Sequence, residues 1–249
     1  MFQGMYTLSS SMITQNRQMD VISNNLANVS TPGYKSDSLV SGTFKDELLL
    51  RTSNNMSGAI GGSLGTLSLA TIPYRTYTDF SGGSIDETDE NLDFAIQGDG
   101  FFKIRGQNGD VYTRNGSFII DNGGYLSLQG VGRVVGDNGP IHLTTDNFNV
   151  KSDGTITDKN GKEIAKLSVF TFDNLDTFTK VGENAFSTTA QSKKADANIL
   201  WKYVETSNVD PTTEMTNMLA SQREIQSAAQ VLKMYDELMG KATTEIGRV

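Results

Sequence analysis

The chain has no cysteine in its 249 residues, one histidine, one tryptophan and four prolines. Without thiols there are no disulfides, no thiolate metal sites and no cysteine nucleophile. Any Ser-His-Asp arrangement or imidazole metal site would have to use His142. That residue stands in "GPIHLTT", a run after a turn that reads as an ordinary strand. P-loop, zinc-protease helix and nucleophile-elbow patterns are missing. The acidic stretch "DETDENLD" (86–93) lacks the ligand spacing of an EF-hand loop and reads as solvated. No enzyme, cofactor or metal site is expected. Positive charge is also short: 21 Lys and Arg against 29 Asp and Glu give −8. That balance disfavours nucleic acid or an anionic membrane as partner. No apolar run reaches the ~20 residues of a membrane span. The opening "MFQGMYTLSSSMITQNRQ" has neither the basic nor the apolar region of a cleavable signal.

Two long helical patterns are present instead. From Met5 the seam positions run Met5, Leu8, Met12, Gln15, Met19, Ile22, Leu26 and Val29, in alternating steps of three and four. Such a stripe is a heptad seam, and Pro32-Gly33 ends it. Near the other end Asp210 suits an N-cap, Pro211 the first helical position and Glu214 the first turn. The second seam reads Met215, Met218, Gln222, Ile225, Ala229, Leu232, Asp236, Met239, Thr243 and Ile246. A polar Asp236 on that line is expected to face water or a polar contact between subunits. Helices this long with one narrow stripe need a partner. They can pair with each other, with copies of themselves, or lie on the rest of the chain. The strict seam favours the coiled-coil arrangement.

Between the helices the pattern changes. Seven Asn-Gly or Asp-Gly pairs occur from 99–100 to 160–161, separated by short runs such as "FFKIR", "VYTR" and "YLSL". Such pairs supply the positive φ that tight hairpins need. The expected fold is α+β: a mainly β, antiparallel, hairpin-rich domain over 74–205, flanked by long coiled-coil helices. The N-terminal helical arm spans 1–35 and the C-terminal arm spans 206–249, paired with it. Residues 36–73, with "SNNMSGAIGGSLGTLSLA", read as an irregular connector, with "TFKDELLL" as a possible short helix.

The stretch "SNNLANVSTPGYK" (23–35) sets three asparagines against a Pro-Gly stop. From spacing alone Asn24, Asn25 and Asn28 read as solvated residues near the end of the helix. This stretch closely resembles the N-terminal motif of the bacterial flagellar axial proteins, the basal-body rod and hook family. "LDFAIQGDGFFKI", "YTRNGSF", "GENAFS", "YVETSNVDPTTEMTNMLASQRE" and "MYDELMGKATTEIGRV" are similar to that family's later blocks, in order.

The resemblance implies a structural, self-assembling rod subunit of the flagellar basal body, serving motility without catalysis. Such subunits are exported through the flagellar type III apparatus and polymerise into a hollow tube that carries torque to the hook. Partners are then copies of the chain and other rod and hook subunits. Axial contacts fall to Leu8, Met12, Met19, Ile22, Asn24, Asn25, Leu26 and Asn28, and to Met215, Met218, Gln222, Ile225, Leu232, Met239 and Ile246. The asparagines would bond neighbouring subunits or nearby backbone. Ser30, Thr31, Pro32, Gly33 and Tyr34 would turn the chain out of the inner layer. Proximal rod, distal rod and a short hook-type subunit stay open. An extracellular β-rich binding module oligomerised by its helices is the alternative outside the family.

Overall fold

The computed structural model describes residues 2–50, 63–106, 109–143, 148–159, 161–182 and 184–246. The chain is mainly β with two long helices, and its contacts divide it into two units. One unit comprises Met1–Ala27, Asp37–Asp79 and Asp210–Val249; the other comprises Asn28–Ser36 and Phe80–Val209.

In the first unit α1 (Phe2–Ala27) and α2 (Pro211–Ile246) pack antiparallel. At one end Asn25 Nδ2 donates to Glu214 Oε1 at 3.0 Å. At the other, Gly4 lies under the Tyr235 ring, where an added Cβ would stand 2.9 Å from the hydroxyl. The seam expected on α1 is protected along its length, with Ile22 buried and Met5, Leu8, Met12, Gln15, Met19 and Leu26 half-buried.

The seam on α2 differs from expectation. Met218, Ile225, Leu232 and Met239 are half-buried, but they alternate with Glu214, Ser221, Ala228 and Tyr235. Met215, Gln222, Ala229, Asp236 and Thr243 are exposed, one position round the helix. Both lines have three-four spacing; the contacts of α1 with Glu214 and Tyr235 select the first, and buried Ser221 stands where the second would put the longer Gln222. The Ile246 side chain lies outside the described residues.

The expected irregular connector is instead a long antiparallel pair, β1 (Asp37–Leu50) with β2 (Ser63–Thr78), in register from Asp37↔Thr78 to Leu50↔Ser63. "TFKDELLL" is strand, not helix. Pairing across the chain supplies the hydrogen bonds that local propensity does not announce. Pro73 sits at a register shift opposite Ser41, where a missing N–H does least harm. One edge of the pair is fixed to α1 by hydroxyls. Thr14 Oγ1 donates to the Thr71 carbonyl at 3.2 Å, and Thr71 N–H donates to Ser10 Oγ at 3.2 Å.

The second unit is built on a curled antiparallel sheet of ten strands among the described residues. At its centre Phe101–Gly106 pairs with Gly109–Thr113 on one side and Gly132–Gly136 on the other. Alternation along the strand sends Phe102 and Ile104 into the main core with Phe94, Phe118, Leu126 and Ile156. Phe101 points the other way, into an aromatic cluster with Tyr112, Phe186, Phe80 and Phe178.

The Asn-Gly and Asp-Gly pairs at 122–123, 138–139 and 153–154 connect consecutive strands that pair antiparallel, while Asn108 and Asn160 of two further pairs lie outside the described residues. The pairs at 99–100 and 115–116 do other work. Phe94–Gln97 pairs with Asn198–Trp201 rather than with the strand that follows it. Gly116 is a close approach, where a Cβ would strike the Phe94 carbonyl. His142 is exposed beside the Tyr125 ring, 4.9 Å between centroids.

Candidate functional site at the helix-exit turn

After Ala27 the chain turns, with Thr31 N–H donating to the Asn28 carbonyl and Tyr34 N–H to the Thr31 carbonyl. Gly33 takes φ +66°, and its N–H donates to the Glu205 carbonyl at 2.7 Å. Gly33, Tyr34 and Lys35 are all buried within the β unit. Lys180 Nζ stands 4.2 Å above the Tyr34 ring and donates to the Lys35 carbonyl at 3.0 Å. Ser36 N–H donates to Asn208 Oδ1 at 2.8 Å.

Beneath this turn lies a cluster of buried charges. Lys35, 0% exposed, donates from Nζ to Glu205 Oε1 and to the Ser81 carbonyl, each at 2.6 Å. The same Glu205 oxygen accepts from Gly83 N–H at 3.0 Å. Arg114 Nη1 reaches Glu205 Oε2 at 3.2 Å, and its Nη2 donates to the Gly98 carbonyl at 2.7 Å. The Arg114 guanidinium also lies 5.5 Å from the Phe101 ring centroid. Burying ions costs several kcal/mol each unless they are paired and their remaining donors satisfied. Glu205 supplies the counter-charge for two cations at once, from segments 170 and 91 residues away, while Arg114 Nε is left buried without a hydrogen-bond partner. The strand pairing of Tyr203–Glu205 with Ile85–Glu87 holds it in place.

The arm residues expected from the sequence do not gather in one place. Asn25, 1% exposed, is engaged within the chain: Nδ2 donates to the Asp37 carbonyl at 2.9 Å and Oδ1 accepts Asp37 N–H at 3.0 Å. It thereby clasps the start of β1 while its amide also reaches Glu214. Asn28 Oδ1 accepts from Thr31 Oγ1 at 3.3 Å, and Asn24 is exposed. In the turn, Ser30 is exposed, Thr31 and Pro32 are half-buried, and Gly33 and Tyr34 are buried. Sequence reasoning passed over Lys35, Arg114 and Glu205. Each sits in a quoted block, as "GYK", "YTRNG" or "YVETS", but a lone charge in sequence reads as solvent-facing.

The start of α2 is set by Asp210. Its Oδ1 accepts Thr212 N–H at 3.0 Å and its Oδ2 accepts Thr213 Oγ1 at 2.6 Å. The Thr213 hydroxyl first, then the Thr212 amide, hold its carboxyl below the usual carboxylate range. Because the folded value is the lower one, the cap's contribution is present above the unfolded pKa, about 3.9. It is lost as pH falls through the folded value. Helix content by circular dichroism should therefore be level from neutral pH to about pH 5 and fall below about pH 4. Asp210→Asn keeps a capping acceptor without a titrating group. It should remove this part of the acid transition; identical acid curves would refute the assignment.

Three family models match the chain in order. One described as flagella basal body rod protein covers residues 5–35. The flagellar hook protein FlgE/F/G D1 domain covers 95–158, and flagellar basal body rod FlgEFG protein C-terminal covers 202–245. Over almost its whole length the chain is 33% identical to the flagellar basal-body rod protein FlgG of Bacillus subtilis, covering 96% of this chain and 97% of that one. The chain belongs to the flagellar basal-body rod protein family. It is 30% identical to the rod protein FlgF of Caulobacter vibrioides across the full length of both chains. The flagellar hook-basal body complex protein FlhO of Bacillus subtilis is 27% identical, again across both full lengths. As a rod-family member the chain is a structural subunit, and its location is the flagellar basal body. Lys35, Arg114 and Glu205 fall one in each of the three matched segments. Among the described residues no helix is long and apolar enough to cross a membrane.

Proposed function

We propose that this rod subunit polymerises through its two helical arms, 1–35 and 206–249, into a hollow axial tube that carries torque from motor to hook. The observation that carries this reading is apolar surface on both helices outside their shared seam. Tyr6 is 73% exposed and Ile13 63%, while on α2 Met215, Leu219, Met234 and Leu238 are each more than half exposed. In water these side chains cost hydration free energy; against neighbouring subunits they recover it. Met215, shifted out of the intramolecular seam, becomes an intersubunit contact in this arrangement, alongside Leu8, Met12, Met19 and Leu26 at the rim of the α1 seam. The coiled coil is then a property of the assembled inner layer. Partners are other copies and other rod and hook subunits. The chain carries no catalysis, and the flagellar type III apparatus exports it unfolded, for which a cysteine-free chain is suited.

A double substitution, Met215→Asp with Leu219→Asp, tests this. Both positions face solvent in the single chain, so monomer stability should change by no more than about 0.5 kcal/mol per site. Swimming in a strain lacking the native gene should not be restored, and rods should be missing from isolated basal bodies. Full motility with normal rods would remove the exposed face of α2 from the assembly.

A further inference from the structure

We propose that Glu205 is a latch that makes residues 28–36 the last part of the β unit to dock. This ordering is a property of the β unit and holds whatever the arms assemble with. The central strands close through short connections, as between Gly106 and Gly109 or between Leu128 and Gly132. Their closure costs little chain entropy. The turn segment is different. Its Lys35 reaches Glu205 across 170 residues, its Ser36 reaches Asn208 across 172, and its Lys35 carbonyl meets Lys180 across 145.

Electrostatics then fixes the order of arrival. Arg114 and Glu205 form a charge-compensated pair once Tyr203–Glu205 has joined Ile85–Glu87, with Gly83 N–H and the Gly98 carbonyl adding further bonds. If the turn docked first, it would carry the Lys35 ammonium into the buried space beside Arg114 without the carboxylate they share. An uncompensated buried charge is strongly disfavoured. Gly33 adds a second tie to the same residue, through the Glu205 carbonyl. The exit turn therefore waits for segment 203–209, which directly precedes α2. The N-terminal exit is fixed only when nearly the whole chain has become available.

Pulsed hydrogen–deuterium exchange during refolding of the full chain from urea tests this order. In the native sequence peptide 94–106 should gain protection first, and peptide 28–36 no earlier than 203–209. Glu205→Gln keeps the shape but removes the charge. It should lower protection of 28–36 by roughly tenfold or more, as expected for loss of charged hydrogen bonds, and leave the time course of 94–106 unchanged. Lys35→Met removes the cation that enforces the delay; Gly33 and Ser36 still bond segment 203–209, but the locally bonded Thr31 and Tyr34 amides should then gain protection without waiting for it. The latch is overturned if 28–36 is protected together with 94–106 in the native chain. It is equally overturned if Glu205→Gln slows both peptides by one factor, or if Lys35→Met leaves the order intact. The native time course and the Lys35→Met chain decide the matter even if Glu205→Gln does not fold.

Discussion

Replacing Glu205 by alanine is expected to destabilise the β unit by about 3–5 kcal/mol, the cost of leaving buried partner charges uncompensated. A folded domain has only about 5–15 kcal/mol in hand. The substitution strands two cations, the Lys35 ammonium and the Arg114 guanidinium, and leaves the Gly83 N–H without its acceptor. Urea unfolding followed by fluorescence of Trp201, which packs in the same unit against Phe148, should show a much lower midpoint. Lys35→Met should cost clearly less, because the Glu205–Arg114 pair survives and the methionine stem replaces the lysine stem. If the two substitutions cost the same, the carboxylate has no role beyond its bond to Lys35.

Gly33→Ala should be nearly as damaging, for a reason of shape. At φ +66° a Cβ costs about 1–2 kcal/mol in backbone strain. That Cβ would also run into the backbone of Arg114 and Asn115, which are fixed between the strand ending at Thr113 and the bridge at Ser117. Overpacking of this kind adds about 1–3 kcal/mol. The turn should leave its seat, so protease should cut between 28 and 36 at low enzyme concentrations that leave the native chain intact. Unchanged resistance there would mean that the turn has another stable position. Both substitutions should also abolish swimming in a complemented strain, since each misplaces the exit of the first arm.

Much of this molecule could be read from its residues. The α1 seam, the Asp210 cap with Pro211 behind it, and the hairpin-rich centre all rest on local chemistry: periodicity, capping and positive φ. The α2 pattern was ambiguous. Two lines of three-four spacing share Met218, Ile225, Leu232 and Met239, and periodicity has no means of choosing between them. The choice belongs to α1, whose Gly4 and Asn25 come close to Tyr235 and Glu214. The β1–β2 pair was hidden for a related reason. Its strands lack clean alternation, and each is specified by the other and by Ser10 and Thr14 of α1.

Two long amphipathic ends, a β-rich middle and a Pro-Gly break at 32–33 are legible from the residues alone, because each follows from near neighbours in the chain. Where the charges go is set by the fold. Lys35, Arg114 and Glu205 lie far apart in the chain and look like ordinary surface residues one at a time. Folding brings them to one buried carboxylate, since in a dry interior an ion is tolerated only beside its counter-ion.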